Sequence, residues 1–133
     1  GNDFLSGDDG DDILVGGLGD DLLEGRDGAD VMTGNMGADV FLFAFVDTGQ
    51  TGYDPGANHI QADDVITDFQ RGVDQLRVSY EDGGEFVGVG WAELEGRSTV
   101  VNGDLVIDVT GIGPATGAIT LRGVTTLDQG DFA

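Results

Sequence analysis

Five aspartates recur every nine residues: Asp3, Asp12, Asp21, Asp30 and Asp39. Carboxylates at fixed spacing, flanked by glycines, offer oxygen donors and little else. Hard divalent cations such as calcium take roughly six to eight oxygens at about 2.3–2.6 Å. One turn of chain supplies about half such a set, so two stacked turns supply a full one. The spacing therefore points to cation binding between turns rather than to acid–base or nucleophilic chemistry.

The aspartates sit inside a nonapeptide repeat. Gly7–Val15 reads GDDGDDILV, Gly16–Glu24 GGLGDDLLE, Gly25–Thr33 GRDGADVMT and Gly34–Leu42 GNMGADVFL. Gly1–Ser6 (GNDFLS) supplies positions 4 to 9 of an earlier copy. Position 1 is Gly in every full copy, position 4 is Gly throughout, and position 6 is Asp throughout. Position 8 is always large and apolar: Leu5, Leu14, Leu23, Met32 and Phe41.

These slots dictate the elements that must hold the carboxylates. A turn that closes every nine residues needs positive φ, which Gly reaches without steric penalty. Positions 7 to 9 are expected to form a three-residue strand, with position 8 inward and position 7 outward. Phe4, Leu22 and Val40 would then line one sheet face, and Ile13 and Val31 the other. Such a face serves either strand propensity alone or packing against residues 43–133. Position 2 carries Asp8, Gly17, Arg26 and Asn35. Asp and Asn tolerate left-handed backbone; Arg does not, so a strained or differently shaped turn is expected at Arg26.

Composition narrows the function classes. The 133 residues carry 26 acids against 5 basic residues, a formal charge of −21. That excludes nucleic-acid binding, which needs Lys and Arg on phosphates, and docking on an anionic membrane. No apolar run approaches the roughly 18 residues of a membrane span, and nothing resembles a signal peptide. With no Cys there is neither a disulfide framework nor a thiolate zinc site. High charge alone suggests disorder, but 39% apolar residues and several strand-like runs oppose it. Residues 1–42 hold 11 acids and one Arg, a density that either repels itself or is neutralised by bound cations.

The nonapeptide G-G-x-G-x-D-x-U-x over residues 1–42 resembles the RTX (repeats-in-toxin) family, whose copies stack as a calcium-binding parallel β-roll. The resemblance implies that two copies make one coil, so ligands pair 18 residues apart: Asp3 with Asp21, Asp12 with Asp30, and Asp21 with Asp39. It implies about three calcium ions in two rows, one row on each edge of the roll. It also implies carbonyl ligands at positions 2 and 4 of the earlier copy, and 1 and 3 of the later one. Those are Asp8, Gly10, Gly25 and Asp27 for the middle site, and Gly17, Gly19, Gly34 and Met36 for the third. The first site has Gly1, Gly16 and Leu18 but lacks its position-2 residue.

After Phe41 the pattern changes. FLFAFV (Phe41–Val46) suits a longer buried strand. Residues 47–62 are a turn-rich loop, and 65–80 read as two strands about a turn at Arg71-Gly72. Further strands are expected near 85–90, 98–101, 104–109 and 117–124, with a short helical turn near Trp91–Leu94 or Thr126–Gly130. ADDVITDFQRGVDQL (Ala62–Leu76) and ITLRGVTTLDQGDF (Ile119–Phe132) resemble the segment after the roll in serralysin-type proteases and alginate epimerase R-modules. That resemblance implies a cap on the roll, a type I secretion signal, and a cap calcium site on Asp64 and Asp68, with Asp63 as an alternative. Asp68 fits equally a turn acceptor of backbone N–H groups.

No catalytic constellation stands out. His59 is the sole His and lies in a Gly/Pro/Asn loop with no G-x-S-x-G nearby. No strand–glycine loop–helix context offers a phosphate cradle, and most carboxylate pairs belong to the nine-residue register. Trp91, Tyr53 and Tyr80 suit packing better than sugar stacking. The expectation is an all-β chain: a parallel β-roll (residues 1–42) stacked on a β-rich cap (43–133), forming one unit. It reads as a non-catalytic calcium-binding module, the C-terminal part of a larger bacterial protein exported by a type I secretion apparatus. Its expected partners are calcium, an upstream catalytic domain or an extracellular polysaccharide, but neither nucleic acid nor a membrane interior. The alternative is a polysaccharide-binding R-module.

Overall fold

The computed structural model describes residues 1–45, 63–82, 85–113 and 115–132. The expected loop 47–62, with Tyr53 and His59, lies outside the described residues. The first five strands are β1 (Phe4–Asp9), β2 (Ile13–Leu18), β3 (Leu22–Asp27), β4 (Val31–Met36) and β5 (Val40–Phe45). Each has six residues rather than the expected three. The strand does not stop at position 9, because position 1 is only skipped in the pairing. Ser6 pairs with Glu24, and then Asp8 pairs with Arg26.

The kink at position 2 is left-handed in every copy. Asp8, Arg26 and Asn35 have φ of 71°, 75° and 74°, and Gly17 has 111°. The turn at Arg26 therefore keeps the common shape, so of the two outcomes expected there it is strained rather than differently shaped. An L-residue held there is strained by about 1–2 kcal/mol. Position 4 supplies the other positive φ, from 112° at Gly10 to 149° at Gly37.

Odd and even strands separate into two sheets. Parallel pairs join β1 to β3, β3 to β5 and β2 to β4, each 18 residues apart in register. The sheets continue past residue 42. The later strands are β6 (Asp64–Ile66), β7 (Gln75–Asp82), β8 (Glu85–Val89), β9 (Ser98–Val101), β10 (Asp104–Asp108) and β11 (Ala118–Leu121). One sheet runs β1-β3-β5-β7-β8 and the other β2-β4-β6-β11-β10-β9. A short helix, α1 (Trp91–Glu95), and a 3-10 turn at Gln129–Asp131 complete the described chain.

The apolar slot of the repeat becomes the core. Leu14, Leu23, Met32 and Phe41 are buried between the sheets, and the same cluster runs through Ile66 and Leu76 to Ile107, Ile119 and Leu121. Each such side chain contributes roughly 1.5–3 kcal/mol by leaving water. Position 7 points out, with Phe4 60% and Ile13 77% exposed. Alternation across each strand thus aims apolar groups inward and leaves the turns, with their aspartates, at the two edges.

Candidate metal sites

The position-6 aspartates form two ladders, one on each edge. On one edge, the Asp3 N–H donates to Asp21 Oδ1 (2.7 Å) and the Asp21 N–H to Asp39 Oδ1 (2.9 Å). On the other, the Asp12 N–H donates to Asp30 Oδ1 at 2.9 Å. The carboxylates of Asp21, Asp30 and Asp39 are each pinned by one oxygen to the coil before it. The other oxygen, Oδ2, is buried without a hydrogen-bond partner in Asp12, Asp21, Asp30 and Asp39. A buried anionic oxygen with nothing to pair it is unfavourable by several kcal/mol in an apolar setting.

Glycine leaves space beside each of these oxygens. A Cβ built on Gly7 would stand 2.7 Å from both Asp12 Oδ2 and the Gly25 carbonyl oxygen. Gly16 relates in the same way to Asp21 Oδ2 and the Gly34 carbonyl oxygen. Position 4 makes a second close approach, Gly28 over the Gly10 carbonyl and Gly37 over the Gly19 carbonyl. Among the described residues no three Asp, Glu or His side chains converge on one point. Any cation here must therefore draw on main-chain oxygens as well as carboxylates. An unpaired carboxylate oxygen, a carbonyl oxygen and a missing Cβ together fit a hard cation.

The structure brings some expected groups together and separates others. Asp12 meets Asp30 and Gly25, and Asp21 meets Asp39 and Gly34, at the seams between coils. The position-3 carbonyls of Leu18, Asp27 and Met36 accept N–H groups from Gly1, Gly10 and Gly19 at 2.8, 2.8 and 2.9 Å, which leaves each a second lone pair. The Asp8 carboxylate faces Ser6 and Arg26.

Asp64 extends the second ladder, accepting the Asp30 N–H at 2.9 Å. Asp68 lies in the turn on the opposite edge, accepting the Gly34 N–H (3.0 Å) and the Asn35 N–H (2.8 Å). Asp64 and Asp68 thus do not share a site, because β6 carries them to opposite edges. Asp63 accepts from the Ala118 N–H.

Two features escape the sequence reading. Asp74 extends the first ladder, accepting the Asp39 N–H at 3.0 Å and the Gln70 N–H at 2.8 Å. Position 5 makes a second ladder of opposite sense. The Asp20, Ala29 and Ala38 N–H groups donate back to Asn2, Asp11 and Asp20 side chains at 2.8–2.9 Å. The signal for it was the Asn/Asp at position 5 of the first three copies, which the position-6 register overshadowed.

Electrostatics follow from this crowding. Burial, opposed by the Asp30 N–H and reinforced by the charges of Asp30 and Asp63, pushes the Asp64 carboxyl up to about 7. Burial also raises Asp30, Asp39 and Asp74, with neighbouring aspartates adding to the shift. The two edges concentrate negative charge.

The profile of the RTX calcium-binding nonapeptide repeat matches in four copies, over residues 1–23 and 6–41. Residues 1–41 are RTX calcium-binding repeats. The fold around them is shared with known structures. The chain superposes over 99% of its length on the AlgE6R3 subunit of the Azotobacter vinelandii mannuronan C5-epimerase, covering 77% of that chain (TM-score 0.55, 21% identity). It also superposes over 98% of its length on the extracellular lipase LipA of Serratia marcescens (TM-score 0.54, 21% identity). It spans only 20% of that lipase. At this identity the likeness establishes the β-roll architecture alone. No curated protein sequence matches the chain. The RTX segment binds calcium, and its aspartate ladders are where the chain concentrates unpaired oxygen.

Proposed function

We propose that this RTX chain is a structural module whose folding is driven by calcium at the aspartate seams. About three ions occupy the Asp3–Asp21, Asp12–Asp30 and Asp21–Asp39 seams, in two rows, with a further ion at the Asp30–Asp64 seam of the cap. The buried, unpaired Oδ2 atoms of Asp12, Asp21, Asp30 and Asp39 carry this reading. Bound calcium supplies the positive charge that these oxygens lack. The Oδ1–N–H bonds fix the carboxylates of Asp21, Asp30, Asp39 and Asp64, the glycines keep the space open, and the position-8 core holds the coils in stack. The Gly10 and Gly25 carbonyls serve the middle seam, and those of Gly19 and Gly34 the third.

Without the ion, burial of several like charges opposes closure of the coils. Binding free energy then becomes folding free energy. Extracellular modules have calcium Kd values of roughly 10⁻⁴ to 10⁻³ M. On that scale the chain stays unfolded at cytosolic calcium and folds outside. This suits a secreted, non-catalytic segment of a larger bacterial protein that passes a type I secretion apparatus. Circular dichroism with and without calcium tests it. The expected result is loss of β-structure on chelation; an equally folded metal-free chain overturns the reading.

A second reading is glycan binding beside the cap. Trp91 stacks on Phe132 with ring centroids 5.5 Å apart, and both line a pocket with Gln129 and Gly88–Gly90. An aromatic face beside an amide suits a sugar ring. Titration of uronic-acid oligosaccharides with calcium present separates the readings, since only this one expects Trp91 fluorescence to change.

A further inference from the structure

The first ladder does not end where the repeats end. Phe69–Arg77 (FQRGVDQLR) lies beyond the segment matched by the repeat profile. It nevertheless places Gly72, Asp74 and Leu76 at positions 4, 6 and 8. Gly72 is left-handed at φ 76°, and Leu76 is fully buried. The pairs Val40↔Gln75 and Phe41↔Leu76 continue the register of Leu22↔Val40 and Leu23↔Phe41. The Asp39 N–H donates to Asp74 Oδ1 at 3.0 Å, as the Asp21 N–H does to Asp39 Oδ1 at 2.9 Å. By position and bonding, Asp74 is the next rung.

The seam above Asp39 repeats the unpaired buried oxygen of the seams below. Asp39 is 0% exposed, and its Oδ2 has no hydrogen-bond partner. That oxygen stands against Gly34, in the space a Cβ would fill. Asp74 is 1% exposed, and each of its oxygens keeps a lone pair after accepting one N–H. The nearby cation does not neutralise this seam. The Arg71 guanidinium is turned onto Asp128 (3.0 Å) and Asp131 (3.3 Å). Asp68 is turned to the Gly34 and Asn35 N–H groups.

We propose that the Asp39–Asp74 seam binds a further hard divalent cation, calcium, between Asp39 Oδ2 and the Asp74 carboxylate. The proposal rests on the reading that the Asp seams hold calcium, and extends it to a rung outside the RTX repeats. One difference marks this seam. The Asn35 carbonyl, at position 2, already accepts Gln70 Nε2 at 3.0 Å. That carbonyl keeps one lone pair for an ion but already shares its charge with the amide, so this site fills after those of the roll.

Counting bound ions by native mass spectrometry across a calcium titration tests this. The wild-type chain and Asp74→Asn are compared, the variant keeping an acceptor for the Asp39 N–H. The expected result is one ion fewer in D74N, lost from the last step to fill. An unchanged count overturns the proposal while leaving the roll sites standing; a wild-type chain that binds no ion overturns both. If D74N does not fold in calcium, a crystal of the wild-type chain grown with calcium decides. An ion about 2.3–2.6 Å from Asp39 Oδ2 and from Asp74 supports the site. Filled roll seams beside an empty Asp39–Asp74 seam overturn it.

Discussion

The Asp21 N–H donates to Oδ1 of Asp39, eighteen residues on, at 2.9 Å, while Oδ2 of Asp39 is buried with no hydrogen-bond partner. One carboxylate thus does two jobs. One oxygen holds two coils together, and the other concentrates negative charge where the coils meet.

Filling the cradle should block the ion with every carboxylate still in the sequence. In Gly7→Ala, the new Cβ would meet Asp12 Oδ2 and the Gly25 carbonyl oxygen at 2.7 Å. Calorimetric titration should show one site lost and the folding midpoint moved to higher calcium, by about tenfold or more, roughly 1.4 kcal/mol. Gly88→Ala, where a Cβ meets nothing within 4 Å, should leave both unchanged.

Arg26 should be replaceable with gain. It is held at φ 75°; its ion pair to Asp8 is exposed, where such pairs contribute about 0–1 kcal/mol, while its second partner, Glu24, is largely covered. Arg26→Gly removes left-handed strain of about 1–2 kcal/mol. Thermal melts in saturating calcium should show a small rise in Tm. A fall of several degrees would mean the pairs outweigh the strain.

The metal-free chain should be more ordered in mild acid than at neutral pH. Asp64 is raised to about 7, and Asp30, Asp39 and Asp74 are also raised. With these folded-state values above the unfolded value near 4, the native state holds more protons across that interval. Their stabilising contribution is complete below about pH 4 and lost as pH rises toward 7. Asp131 acts in the opposite sense. Burial raises it, but N–H groups of Asp128 and Gly72 and the Arg71 guanidinium outweigh that and leave it lowered. Its stabilising contribution is present above about pH 4 and lost in stronger acid. Melts in chelator from pH 3 to 8 should therefore peak at about pH 4–5, and calcium should remove the loss at neutral pH.

Removing the tail's anchor should loosen the C-terminus before the roll. Arg71 bonds Asp128 and Asp131, and the Gly72 N–H bonds Asp131 Oδ1 at 2.9 Å. Asp131 is buried, so truncating its charged partner is expected to destabilise by about 1–3 kcal/mol. In Arg71→Ala, hydrogen exchange should quicken at residues 128–132 with the repeats protected by calcium. Equal quickening throughout would mean that the tail and the roll open together.

Much of this was legible in the residues. The apolar position-8 slot marks Leu14, Leu23, Met32 and Phe41 as core, and they are buried. The alternation in FLFAFV and the turn at Arg71-Gly72 locate β5 and the break between β6 and β7. Asp74 was hidden for a physical reason. Strands pair in space, so the coil continues from β5 to β6 and β7 despite a break in the nine-residue count and an extra residue between Thr67 and Asp74. The six-residue strands were missed because a left-handed residue at position 2 kinks a strand without ending it. Asp64 and Asp68 read as a pair because the resemblance of Ala62–Leu76 implies a shared cap site, yet Asp64 opens β6 and Asp68 follows it, on the opposite edge.

The most direct test is the number of calcium ions held by the wild-type chain, measured by native mass spectrometry at saturating calcium. The seams predict three or more, released together with the loss of β-structure. One ion or none, on a chain that stays folded, would contradict the account.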